Sequence, residues 1–338
     1  GHVDFSAEME RTLQVLDYAV LVVSGADGVQ GHVQTLWKLL KEYEIPVFLF
    51  INKMDQEGTD RGKLLFEVQN RLDKGCVDFT FAKENSSEFL EELAVCDEHV
   101  LEKYLEQGEV STADIQEMIR KRQVFPCYFG SALKLQGIQE FLEGLDVYTK
   151  CPEYGEAFAA RVFKISRDEK GNRLTHLKVT VQGKDWEEKA NQIRVYDGAG
   201  FSAVNEALAG SVCAVTGLSR TFAGECLGEE QMGKEPVLTP VLTYEIQLPQ
   251  GCDVHNMLKK LRELEEEPLL HILWNEQLSE IHAQVMGEVQ IEILKSMIQE
   301  RFGVSVEFGS GNIVYKETIE NKVEGIGHFE PLRHYAEV

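Results

Sequence analysis

Val47-Phe48-Leu49-Phe50-Ile51-Asn52-Lys53-Met54-Asp55 sets an unbroken apolar run directly against a polar tetrapeptide. Large apolar residues without alternation read as a strand buried on both faces, the pattern of a parallel sheet. Two other runs behave alike. Leu16 to Val23, broken only by Asp17 and Tyr18, ends in a loop with Gly25, Asp27 and Gly28, and Val124 to Phe129 ends at Gly130. Between the first two runs, Val33, Leu36, Leu39 and Leu40 share one helical face. Strands joined by helical crossovers predict an α/β fold with a parallel sheet, in which ligands sit beyond the carboxyl ends of the strands. Chemistry is therefore expected at Asn52-Lys53-Met54-Asp55 and Gly130-Ser131-Ala132.

The first of these loops suits a guanine base. A carboxylate at Asp55 can accept from both the N1–H and the 2-amino group of guanine, whereas adenine offers an acceptor at N1 and no amino group there. A site built to pair a polar edge rejects the analogue lacking it, by on the order of 10⁴-fold. Asn52 would brace the loop and reach the base, and the Lys53 stem would cover the base face. N-K-x-D also occurs by chance in polar loops. Gly130-Ser131-Ala132 follows its own strand, and small residues there let backbone N–H groups come close to a ligand.

The 338 residues carry 34 Lys and Arg against 57 Asp and Glu, a formal charge of −23. That surplus excludes a protein that wraps nucleic acid over its whole surface, though not a local basic face. Residues 84–118 hold eleven acidic side chains against Lys103 alone, a net of −10. Leu90, Leu93, Leu101, Leu105, Ile115 and Ile119 recur there at helical spacing, which predicts a folded, solvated helical segment; a docking surface for a basic partner is the alternative. Seven scattered cysteines without a C-x-x-C pair read as reduced thiols in a cytoplasmic protein and give no structural zinc site. No apolar run is long enough to span a membrane.

From about 155 to 235 the helical signal disappears. Short runs such as Ala157–Ile165, Leu177–Val181, Ile193–Tyr196 and Val212–Leu218 between Gly-rich turns predict a small antiparallel β-barrel. Beyond Pro240, the alternating Leu242, Tyr244, Ile246 and Leu248 form a strand, and Asp253 caps a helix carrying Met257, Leu258, Leu261 and Leu264. Leu269–Trp274 and Ile281, Ala283 and Val285 follow as strands. A helix from Ile291 to Phe302 stops at Gly303, and Val304, Val306 and Phe308 close a βαββαβ order, the ferredoxin-like α+β unit. The expected organisation is 1–152 (with the acidic helical insertion 84–118), 153–238, 239–309, and 310–338 as the start of a further domain.

Gly1-His2-Val3-Asp4-Phe5, Asp27-Gly28-Val29-Gln30, Asn52-Lys53-Met54-Asp55 and Gly130-Ser131-Ala132 together resemble the P-loop GTPase domain of the translational GTPases. Within that group the chain is similar to elongation factor G and to the ribosomal-protection proteins of tetracycline resistance. The similarity continues through Tyr196-Asp197-Gly198, Ala214-Val215-Thr216-Gly217-Leu218, the stretch Gln284–Glu292 and Tyr315-Lys316-Glu317-Thr318-Ile319, and so covers nearly the whole chain. The resemblance implies GTP or GDP as ligand, the ribosome (its RNA and proteins) as partner, no membrane, and a monomer off the ribosome. It assigns His2 to positioning the attacking water, Gly1 to sensing the γ-phosphate, Asn52, Lys53 and Asp55 to guanine specificity, and Ser131 and Ala132 to the second base-contacting loop.

The chain also departs from the family. It contains no G-x-x-x-x-G-K-[ST], and neither the switch threonine nor the acidic Mg²⁺ ligand of the family is present. Phosphoryl transfer depends on those parts. The expectation is a fragment of a longer protein, itself inactive, whose parent is a ribosome-dependent GTPase that holds Mg²⁺. Val323–Tyr335 lacks the Gly-rich, glutamine-containing opening of the fourth domain of elongation factor G, which favours ribosomal protection. An elongation factor G paralogue in translocation and a noncatalytic ribosome-binding module are the alternatives.

Overall fold

The structure is a computed structural model and describes residues 6–82, 86–154, 158–181, 190–228, 238–265, 267, 271–314, 328–329 and 336–337. The chain forms two compact units, Gly1–Thr239 with Arg262–Leu269, and Pro240–Leu261 with Leu270–Val338.

The first unit begins with α1 (Ser6–Leu13), β1 (Ala19–Ser24), α2 (Gly31–Glu42), β2 (Val47–Asn52), α3 (Arg61–Arg71) and β3 (Cys76–Asp78). It continues with α4 (Ser87–Ala94), α5 (Glu98–Gln107), α6 (Thr112–Arg120), β4 (Phe125–Phe129) and α7 (Ile138–Tyr148). The strands lie in the order β1-β2-β4-β3, every ladder parallel. The two-residue period of β2 divides its run between two apolar layers. Val47, Leu49 and Ile51 join Trp37, Leu39 and Leu40 of α2 and Leu64 and Val68 of α3. Phe48 and Phe50 join Phe79, Tyr128 and residues of α4 to α7 in a largely aromatic layer. There Phe79 meets Phe89 and Tyr148 edge-on at 5.1 and 5.2 Å.

The acidic stretch folds as helices because its apolar residues belong to that second layer. Leu93, Val100, Ile115, Met118 and Ile119 are buried in it, while Glu88, Glu91, Glu98, Glu102, Glu106 and Glu109 face solvent. Ser86 and Asp97 cap α4 and α5, and Ser111 with Asp114 forms a capping box on α6. Leu105 differs from expectation, since it is 76% exposed and takes no part in the core. In β1, too, only one face is covered. Leu21 and Val23 are buried, but Val20 and Val22 are 46% and 56% exposed, because β1 is the edge of the sheet.

The second sheet of this unit contains β5 (Ala159–Arg167), β6 (Arg173–Val181), β7 (Gln192–Asp197), β8 (Gly200–Val204), β9 (Val212–Thr216) and β10 (Cys226–Gly228). Its order is β10-β5-β6-β9-β7-β8, antiparallel throughout. Lys178, 7% exposed in its side chain, reaches Asp17 ahead of β1 at 2.6 Å and ties the two sheets together.

His176 on β6 sits opposite Lys164 of β5, with its Nε2 2.7 Å from the Ser166 hydroxyl. Burial first, and then Lys164, pull its pKa down to about 4. The folded state thus holds a neutral imidazole, and its contribution to stability is lost as pH falls from the ordinary value near 6.5 through about 4. We expect about 3 kcal/mol of stability to go over that interval, most of it read by urea denaturation at pH 7 and pH 4.5. His176→Gln should flatten the profile, and an unchanged profile in that variant would rule out His176 as the cause.

The second unit holds β11 (Leu242–Gln247), most of α8 (Val254–Glu265), β12 (His271–Asn275), β13 (Glu280–Val285), α9 (Glu288–Phe302), β14 (Glu307–Phe308) and β15 (Asn312–Ile313). The ladder order β12-β13-β11-β14, with β15 also on β11, is that of a ferredoxin-like sheet. Ile246, Ile281, Ala283 and Val285 are buried on one face, as alternation predicts, and Gly303 ends α9 with φ +66. A last pair, β16 (His328–Phe329) and β17 (Ala336–Glu337), is antiparallel. Tyr315-Lys316-Glu317-Thr318-Ile319 lies outside the described residues.

Candidate functional site

β2 and β4 are neighbours, so their carboxyl ends deliver the two expected loops to one place. Backbone bonds join them. Gly130 N–H donates to Ile51 O at 3.0 Å, and Gly130 O accepts from Met54 N–H at 3.0 Å. Asn52 completes the junction with its side chain. Its Oδ1 accepts from Lys53 N–H and from Ala132 N–H, each at 2.8 Å. One amide oxygen thus sets both loops, which is the bracing role. Lys53 adopts φ +64, a left-handed conformation uncommon for a residue with a side chain, and such strain gathers at functional sites.

The second loop is equally constrained. Ser131, 1% exposed, pairs with Gln136 through two backbone hydrogen bonds of 3.0 Å. A Cβ on Gly130 would lie 2.1 Å from Gln136 O, so only glycine fits there. The side chain of Asp55 is 18% exposed, and Lys134 Nζ lies 3.3 Å from its Oδ2. The Ser131 hydroxyl foremost, and Lys134 after it, lower the pKa of the Asp55 carboxyl, which keeps it an ionised acceptor. Residues 27–30 flank this end of the sheet. Gly25 N–H donates to Asn52 O at 2.7 Å, and Val29 N–H to Glu67 Oε1 of α3 at 3.1 Å.

The structure therefore brings together Asn52, Lys53, Asp55, Ser131 and Ala132, while Gly1 and His2 lie outside the described residues. Lys134 and Glu67 belong to the same region and were not legible in the sequence, since a lysine or glutamate partner many residues away has no local pattern. Among the described residues no group of three or more His, Cys, Asp or Glu side chains could hold a metal ion. No step is derived through the Mg²⁺ that the resemblance implies.

Residues 1–150 match the family described as "Elongation factor Tu GTP binding domain", and residues 237–310 match "Elongation Factor G, domain III". Over these two stretches the chain is similar to translation factors that carry a GTP-binding domain. Its relatives include elongation factors G and a tetracycline-resistance protein. It is 28% identical to elongation factor G 2 of Syntrophus aciditrophicus, over 98% of this chain and 61% of the relative. It is equally 28% identical to tetracycline resistance protein TetP of Clostridium perfringens, over 98% of this chain and 56% of the relative. A crystal structure of a Thermus thermophilus protein has the same fold, with a TM-score of 0.79 at 23% identity, and covers 100% of this chain and 61% of that one. The chain thus spans about three-fifths of the length of these relatives.

Proposed function

We propose that this chain is the base-reading and ribosome-facing part of a GTP-binding translation factor that couples GTP hydrolysis to remodelling or protection of the ribosome. The observation that carries the reading is the Asn52 side chain, which joins the N-K-M-D loop to the G-S-A loop through Lys53 N–H and Ala132 N–H. Asp55 would accept from guanine N1–H and the 2-amino group. Lys53 would lay its stem on the base. Gly1 and His2 would sense the γ-phosphate and position water in the parent protein. Among the described residues no strand pairs with the outer edge of β1, beside which Val20 and Val22 are exposed, and a strand and helix carrying a phosphate loop would stand there. The parent would take GTP with Mg²⁺ and act as a cytoplasmic monomer off the ribosome.

Protection from tetracycline is favoured over translocation by the departure at Val323–Tyr335 and is supported by the similarity to TetP. The base site is tested by titrating ¹⁵N-labelled chain with nucleosides at millimolar concentration. Guanosine should move the Lys53 and Ala132 amide resonances, and adenosine should leave them in place; equal responses sink the base site. For the enzyme, the protein of the full coding sequence should hydrolyse GTP faster when ribosomes are added. An unstimulated rate would leave the noncatalytic ribosome-binding module.

A further inference from the structure

We propose that Lys134 is a specificity-setting residue of the base site, a built-in donor to Asp55 that stands where the 2-amino group of guanine would bind. The inference rests on the guanine-reading role of Asp55 and adds a residue that role does not include.

The geometry is specific. Lys134 Nζ lies 3.3 Å from Asp55 Oδ2, in a loop whose backbone is fixed from both sides. Lys134 N–H donates to Ser131 O at 3.2 Å and Leu135 N–H to Ala132 O at 3.3 Å, so the lysine springs from a tight turn on the base-facing loop. Its own side chain is 53% exposed while that of Asp55 is 18% exposed, and the ammonium therefore covers the carboxylate from the solvent side. Lys134 thus serves the carboxylate before any base arrives.

Two consequences follow from donor counting. Guanine brings two donors to the two carboxylate oxygens and must displace Lys134 or share an oxygen with it, which lowers guanine affinity. Hypoxanthine brings only N1–H. In most carboxylate sites the second oxygen would then be left without a partner, a costly state for a charged acceptor. Here Lys134 remains on it. The site thus tolerates a base that lacks the 2-amino group, and Lys134 narrows the gap between guanine and hypoxanthine.

The test uses guanosine and inosine, which are uncharged, on the full 338-residue chain, with the Lys53 and Ala132 amides as the readout. Lys134→Met should raise the guanosine-to-inosine affinity ratio by roughly fivefold, the scale of an exposed ion pair. Lys134→Arg should restore the wild-type ratio. Raising salt should strengthen guanosine binding to the wild type, because it screens the Lys134–Asp55 pair, and should leave Lys134→Met unaffected. A merely structural lysine would not move the ratio or its salt dependence. If guanosine binds but ratio and salt response are the same in wild type and Lys134→Met, the inference is overturned and the base site stands. If guanosine moves neither amide in the wild type, both are overturned together.

Discussion

Gly144→Val should destabilise the first unit by about 4 kcal/mol, on the scale of severe overpacking. Gly144 lies in the middle of α7, where glycine ordinarily costs roughly 0.5–1 kcal/mol against alanine. It is kept there by Tyr128 of β4. A Cβ at position 144 would stand 1.8 Å from the Tyr128 hydroxyl oxygen and 2.5 Å from Cζ. Tyr128 cannot retreat, since it is 2% exposed and its ring meets Phe141 at 5.3 Å and Phe79 at 6.2 Å. Its hydroxyl is buried with no hydrogen-bond partner among the described residues, and burial pushes its pKa up. The two observations predict a coupling. Tyr128→Phe alone should stabilise by about 1 kcal/mol, because an unsatisfied buried hydroxyl is removed. It should also lessen the cost of Gly144→Ala, because the nearest clashing atom is gone. Urea denaturation of the four proteins of that cycle measures the coupling, and strictly additive changes would show that the hydroxyl is not what excludes a side chain at 144.

How far the sequence could foresee such a contact depends on its range. The run Val47–Ile51 announced its strand because five large apolar residues in a row leave a sheet buried on both faces as the natural reading. It announced the site because the run stops at Asn52. The helices of 84–118 were legible from leucine and isoleucine spacing, yet Leu105 obeys the same spacing and is exposed, since periodicity names a face and not where that face ends. β3 escaped notice because Cys76–Asp78 is three residues long, too short to show a period, and is held in place by β4 rather than by its own pattern. The bracing role of Asn52 was foreseen in outline, but not its acceptance from Ala132, eighty residues away. Gly144 read only as a weak helix former. Lys134 read as one of many surface lysines. In each case the missing information was a contact between distant segments, which the parallel sheet creates and local patterning does not record.

Asp55→Asn should invert the base preference of the site, lowering guanosine relative to xanthosine by roughly 100-fold, as expected when a polar edge is matched in one base and mismatched in the other. The wild-type carboxylate is acceptor-only, which suits the two donors of guanine and repels the 2-oxo group of xanthine. A carboxamide keeps one acceptor and gains two N–H donors. Facing xanthine, the amide turns its NH₂ to the 2-oxo group, and Lys134, 3.3 Å from Oδ2 in the wild type and a donor only, gives up that position. That NH₂ meets the amino group of guanine donor to donor and the 2-oxo group of xanthine donor to acceptor. The surrounding frame should not change, because Asn52 still accepts from Lys53 N–H and Ala132 N–H and Gly130 still bonds Ile51 and Met54. Amide shifts of Lys53 and Ala132 during nucleoside titration give both affinities in one experiment. A variant that loses guanosine without gaining xanthosine would mean that position 55 supports the loop and does not read the base.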